Sequence, residues 1–194
     1  LPDSGALHAD VDGDGHRDSI DIGVRRSAPA PCRFLLRVRF ARTVRVASLR
    51  QEEAERYWPV ARIPRVLRAV AINRAPGREI AVAVDAGAST ETIALFAWHA
   101  PDLVRMKIRG GLAADGFIDG GSLAGSFAVD CLAPGRVVQD SIRGASDRGR
   151  FVLRRQVYRV GPLTLTLASQ HKFGVTPAQL KRLAGAAGPF GSCG

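Results

Sequence analysis

Mostly β, built from short antiparallel strands, is the fold class the sequence predicts. Three observations carry it. Apolar and polar residues alternate over many short runs, glycine- and proline-rich turns separate those runs, and one segment alone, near the C-terminus, carries strong helix-start signals. With 194 residues, 46% of them hydrophobic and 24% charged, the chain can bury a proper core and is expected to form a single β-rich domain over 1–194. No apolar run approaches the length of a membrane-spanning helix.

The elements follow in order. Leu1 to Leu7 reads as a polar entry, with turn chemistry at Pro2-Asp3-Ser4-Gly5. An acidic loop, Asp10 to Asp18, comes next and leads into alternating Ile20, Ile22 and Val24. Ser27-Ala28-Pro29-Ala30-Pro31 breaks that strand, because proline has no N–H for a ladder. Strands are expected at Arg33–Phe40, Thr43–Leu49, Arg65–Ile72, Arg78–Val84, Thr92–Trp98 and Asp102–Ile108. Between the second and third of these, Gln51 to Arg56 has helical composition but little length, and Trp58-Pro59 ends it. Arg109 to Ser126 is rich in glycine and is expected to be a loop or paired tight turns. Further strands are expected at Ser126–Cys131, Arg136–Ile142, Phe151–Val160 and Leu163–Ala168. Finally, Thr176-Pro177-Ala178-Gln179 combines an N-cap threonine, a proline at the first helical position and a glutamine at the third. This capping box predicts a C-terminal helix over about 176–187, with Leu180, Leu183 and Ala184 as its apolar stripe.

The acidic loop carries the clearest chemistry. In Asp10-Val11-Asp12-Gly13-Asp14-Gly15-His16-Arg17-Asp18, carboxylates occupy relative positions 1, 3, 5 and 9, and glycines occupy 4 and 6. Calcium takes six to eight hard oxygen ligands, and alternate side chains of a tightly curled loop can converge on one ion. Glycine permits the backbone turn such a loop requires. The expected ligands for Ca2+ are the side chains of Asp10, Asp12, Asp14 and Asp18, with His16 contributing its backbone carbonyl rather than its imidazole.

The flanks discriminate among calcium-loop families. Helical EF-hands and dockerins want an apolar residue at position 8 and an exiting helix; here Arg17 holds position 8 and the exit alternates as a strand. Asp21 does occupy position 12, where an EF-hand places its bidentate carboxylate, which weakens that alternative without removing it. The loop-to-strand pattern resembles the FG-GAP or VCBS-type repeats of integrin-alpha-like propellers, in a small secreted bacterial form. A degraded second copy is expected at Ala71–Val82: aligning Glu79 with Asp18 sets Asn73 opposite Asp12, while Ala71 and Ala75 replace Asp10 and Asp14. The resemblance implies propeller-blade-like hairpins. A full ring needs several blades, more than this chain can supply, so a compact domain of another closure is expected.

The three cysteines, Cys32, Cys131 and Cys193, show no CxxC spacing, which argues against a zinc site. A Cys131–Cys193 disulfide would close a loop of about 60 residues, worth roughly 4 kcal/mol by chain entropy, and would tie down a tail otherwise prone to fray. Cys32–Cys131 is the rival pairing. Leu1 in place of an initiator methionine implies that something upstream was removed, either a secretion signal or part of a longer chain. A secreted or cell-envelope location is the corresponding expectation.

The net charge of +10 comes from 28 basic residues, only three of them lysines, scattered along the chain rather than clustered. Arg33, Arg37 and Arg39 share one strand face, opposite Phe34, Leu36, Val38 and Phe40, which reads as a solvated sheet surface. An anionic cell-surface polymer or a protein is the partner class considered; nucleic acid is not expected. His8, His16, His99 and His171 form no catalytic or metal spacing, and no GxSxG elbow or Walker loop occurs. Asp115 and Asp119 could be paired glycosidase carboxylates, although Asp-Gly turns explain them more simply. The expected function is an exported calcium-binding β module with a structural Ca2+ site, serving as a binding or envelope component. The alternatives are a secreted hydrolase on a β scaffold and a basic polyanion binder.

Overall fold

Alternation along the chain becomes fourteen strands in a computed structural model that describes residues 6–27, 30–49, 63–111, 116–122, 125–145, 151–179 and 188–193. The chain is mostly β, as expected. Its contacts separate two compact units: Leu1–Ala71, Ala75–Ala86 and Ile93–Met106 form unit 1, and Ile72–Arg74, Gly87–Thr92 and Lys107–Gly194 form unit 2.

Unit 1 holds an up-and-down antiparallel sheet of β1 (Leu7–Ala9), β2 (Asp18–Ser27), β3 (Ala30–Arg39) and β4 (Val44–Ser48), hydrogen-bonded in that order. It also holds β5 (Arg65–Val70), β6 (Glu79–Ala86) and most of β7 (Thr90–His99), with β8 (Asp102–Arg105) paired to β7. The period-2 pattern of β3 does what it promised. Phe34, Leu36 and Val38 are buried and join Val11, Ile20, Ile80, Val82 and Phe96 in one apolar cluster. On the opposite face, the Asp21 carboxylate accepts bonds from Arg37 Nε at 2.6 Å and Arg39 Nη1 at 2.7 Å, so part of the arginine face is neutralised within the sheet.

Unit 2 is a longer meander. β10 (Phe117–Ser122), β11 (Gly125–Ala133), β12 (Arg136–Ala145), β13 (Phe151–Val160) and β14 (Thr164–Val175) pair antiparallel in sequence, and β9 (Lys107–Arg109) adds to β14 in parallel. Its core includes Phe117, Tyr158 and Phe190, all at 0% exposure. The Phe117 ring meets Tyr158 edge-on at 5.3 Å and Phe190 at 5.9 Å, geometries favoured by the aromatic quadrupole.

Three expectations need correction. The Leu1–Leu7 entry ends in strand: β1 begins at Leu7 and lies along Ile20, Ser19 and Asp18. The expected single strand Asp102–Ile108 is two strands, because Leu103 and Met106 are both buried and break the alternation between them. The Met106 N–H bonds to the Leu95 carbonyl, whereas Lys107 bonds to Leu163, so the chain changes partners at that step. The glycine-rich segment contains a real strand, β10. At the C-terminus the capping box forms reciprocally: Thr176 N–H donates to Gln179 Oε1 at 2.8 Å, and Gln179 N–H donates to Thr176 Oγ1 at 3.3 Å. The rest of the expected helix, 180–187, lies outside the described residues, as do the helical composition at Gln51–Arg56 and Asp115.

Candidate functional site

The acidic loop is the connection of the β1–β2 hairpin. Ala9 pairs with Asp18, so residues 10–17 bulge out between two registered strands. Alternation persists through the bulge: Val11 turns inward at 2% exposure, leaving Asp10 and Asp12 on the other side. Asp18 closes the loop from the strand end and is itself 3% exposed, its Oδ2 accepting the Val11 N–H at 2.9 Å. The carboxylates also hold the loop's own amides. Asp10 takes Gly13 N–H at 2.7 Å and Gly15 N–H at 3.1 Å, and Asp14 takes His16 N–H at 2.7 Å. At the end of the loop, Arg17 donates to the His8 carbonyl at 2.7 Å, tying exit to entry.

Asp10, Asp12 and Asp18 each bring one carboxylate oxygen within 4.8 Å of the others. Calcium gathers carboxylate oxygens at about 2.3–2.6 Å, and these three offer hard donors from one turn of chain. Asp14 stands outside this group of three. Burial pushes the Asp18 carboxyl above its usual range, the Val11 N–H pulls it back, and the charges of Asp12, Asp14 and Asp10 push it up again. Like charges gathered this closely are compensated best by a cation, and the donor set, all hard oxygen, suits Ca2+ rather than zinc.

The segment expected to be a degraded second copy lies directly against the acidic loop at Pro76 and Gly77. Gly13, at φ 79°, sits where a Cβ would fall 2.5 Å from Pro76 Cβ, and Gly77, at φ 92°, where a Cβ would fall 2.4 Å from the Val11 carbonyl oxygen. Both positions require glycine for conformation and for space. Glu79, aligned with Asp18 in sequence, is buried to the same 3% exposure at the start of β6.

Unit 2 contains a cavity of about 480 Å3, lined in part by Asp119, Phe127, Val138, Asp140, Ile142 and Arg155. It lies along the edge of β11, where β10 pairs only as far as Gly120–Phe127. Beyond that point the Gln139 side-chain amide replaces a strand. Its Oε1 accepts Ile118 N–H at 3.0 Å, and its Nε2 donates to the carbonyls of Ile118 at 2.7 Å and Ala128 at 3.1 Å. Farther along β11 the tail takes over. Phe190 N–H donates to the Val129 carbonyl at 2.9 Å, and Asp130 accepts Ser192 N–H at 2.8 Å and Ser192 Oγ at 2.7 Å. Cys131 and Cys193 stand at disulfide distance, with Cα atoms 5.2 Å apart. Asp140 is 8% exposed and bound by Arg155 through two nitrogens, at 2.8 and 2.6 Å. The cavity was not legible in the sequence, since Asp119, Asp140 and Arg155 are far apart along the chain.

Comparison with family models, with curated proteins and with solved structures gives no match. Among the described residues, no helix is long and apolar enough to cross a membrane.

Proposed function

We propose that the chain is an exported calcium-binding β module of FG-GAP or VCBS type, whose Ca2+ is structural and whose role is that of a binding or envelope component. The convergence of Asp10, Asp12 and Asp18 within 4.8 Å is the observation that carries this reading. Asp14 and the His16 carbonyl would complete the shell from the same loop. The strand exit at Asp18 and the interlock of Gly13 with Pro76 support a clip rather than a sensor, because the loop is packed on one side by its own unit. Extracytoplasmic location is supported by the Cys131–Cys193 pair, a bond that reducing compartments disfavour.

The test is thermal unfolding in calcium and in chelator, for the wild-type chain and for Asp12→Ala. A rise in Tm with calcium in the wild type and none in the variant is expected; identical melting in all four samples would remove the metal from the reading.

The two alternatives fare less well. Asp21 already engages Arg37 and Arg39, which weakens a polyanion surface there. In the unit 2 cavity, Asp140 is occupied by Arg155 and Asp130 by Ser192, which weakens either as a member of a catalytic pair.

A further inference from the structure

We propose that the unit 2 cavity is a binding site for a small organic monocation, an ammonium or guanidinium group carried on an apolar body, with the Asp119 carboxylate as its charge anchor. At about 480 Å3 the cavity falls within the size range of small-molecule sites. Its walls are apolar where Phe127, Val138, Ile142 and Leu153 line it, and its polar groups are few, the combination that fixes a ligand's orientation while burying its body.

The charge argument separates the carboxylates. Asp140 forms a two-nitrogen pair with Arg155 and is neutralised. Asp130 has both oxygens occupied by Ser192, with Oδ1 also taking the Cys131 N–H. Asp119 has no cationic or side-chain partner among the described residues; it accepts backbone N–H groups of Val129 and Gly120 and feels the charge of Glu91. Burial raises its carboxyl above the usual range, and Glu91 raises it further. A half-buried carboxylate with only dipoles around it is stabilised by an incoming cation, and the partial dryness of the cavity strengthens the pairing. The sign is local: the chain as a whole carries +10, so a cation is drawn to this cavity against the background charge.

Aromatic amines provide the probe. Phenethylammonium, its neutral counterpart 2-phenylethanol and the anion 3-phenylpropionate are titrated into the full chain in calcium, and the amide resonances of Gly120, Gly121 and Ser126 are followed by NMR. Saturable shifts with the ammonium compound are expected, with affinity at least about tenfold above the alcohol and no binding of the anion. Asp119→Asn should lose about tenfold for the amine and little for the alcohol, and Ile142→Trp, which fills the cavity, should abolish the shifts. Asp12→Ala should leave amine binding intact, which keeps this site distinct from the acidic loop and independent of the calcium reading. Absence of saturable shifts, equal affinity for amine and alcohol, or loss of amine binding in Asp12→Ala would each overturn the proposal. If Asp119→Asn does not fold, the ligand-charge series and Ile142→Trp decide.

Discussion

The two ends of the chain are fastened by opposite physics. Near the N-terminus, the β1–β2 loop gathers Asp10, Asp12 and Asp18, whose like charges repel one another. At the C-terminus, residues 188–193 are held by a Cys131–Cys193 bond, by Phe190 at 0% exposure and by Asp130 with its oxygens filled. One end gathers like charges on a loop, and the other is closed by a covalent pair and a buried ring. Even the backbone expense differs: the loop uses glycines at positive φ, whereas the tail accepts φ 59° at Phe190, a conformation that costs a side-chain-bearing residue about 1–3 kcal/mol, in order to bury the ring.

The contrast can be broken from the strong side first. Replacing Cys131 and Cys193 together by serine is expected to cost about 4 kcal/mol, read by denaturant unfolding, with no change in the calcium-dependent Tm increment. Phe190→Ala should cost about 3 kcal/mol, because a buried ring against Phe117 leaves a cavity rather than a collapsed wall. A similar result for Phe190→Leu and Phe190→Ala would show that ring packing is not what holds the tail. On the weaker side, Gly77→Ala is expected to lose about 2 kcal/mol and to weaken calcium binding, since its methyl would drive into the Val11 carbonyl. Calcium itself, at ~1 mM and a Kd of ~10⁻⁴ M, should contribute about 1.4 kcal/mol, seen as a Tm difference that Asp12→Ala abolishes.

The smallest effect has the opposite sign. Asp119's folded carboxyl titrates above its unfolded value, so the folded state holds the proton more tightly. That contribution to stability is complete below the unfolded pKa and is lost as pH rises through the folded one. Asp119→Asn should therefore remove a contribution that favours the folded state at acid pH, steepening the acid limb of the stability profile and leaving the neutral-pH protein slightly more stable. A flatter acid limb in the variant would contradict the assignment.

Much of this was legible in residues. The capping box at Thr176–Gln179, the strand exit after Asp18 and the alternation of Phe34, Leu36 and Val38 are local patterns, and local geometry reproduces them. The Cys131–Cys193 pairing was favoured by the fraying tail but left Cys32–Cys131 as a rival until the structure brought Cys131 and Cys193 to disulfide distance. What escaped was non-local. β1 spans three residues, too few for a period to appear. β10 runs through Gly120 and Gly121, poor strand formers, and is held by contacts that come from elsewhere: Gly121 N–H donates to the Ser89 carbonyl at 2.7 Å, and the Gln139 amide grips Ile118. The acidic loop showed its carboxylates and their spacing in sequence, but not that Asp14 would stand apart from the three converging ones. Nor could sequence show the interlock with Pro76 and Gly77, which depends on two hairpins meeting.

The Gln139 amide has a consequence for the sheet as a whole. A bare strand edge is a template on which a foreign chain can polymerise, and proteins usually blunt it with charge, proline or a covering segment. Here β11 passes from β10 to the C-terminal tail, and between them a single primary amide, 1% exposed, imitates a peptide group by accepting from one strand and donating to both. Swapping that amide for a hydrocarbon of equal size would leave an unsealed seam of main-chain donors and acceptors, and the damage would register as self-association in solution before it registered as unfolding.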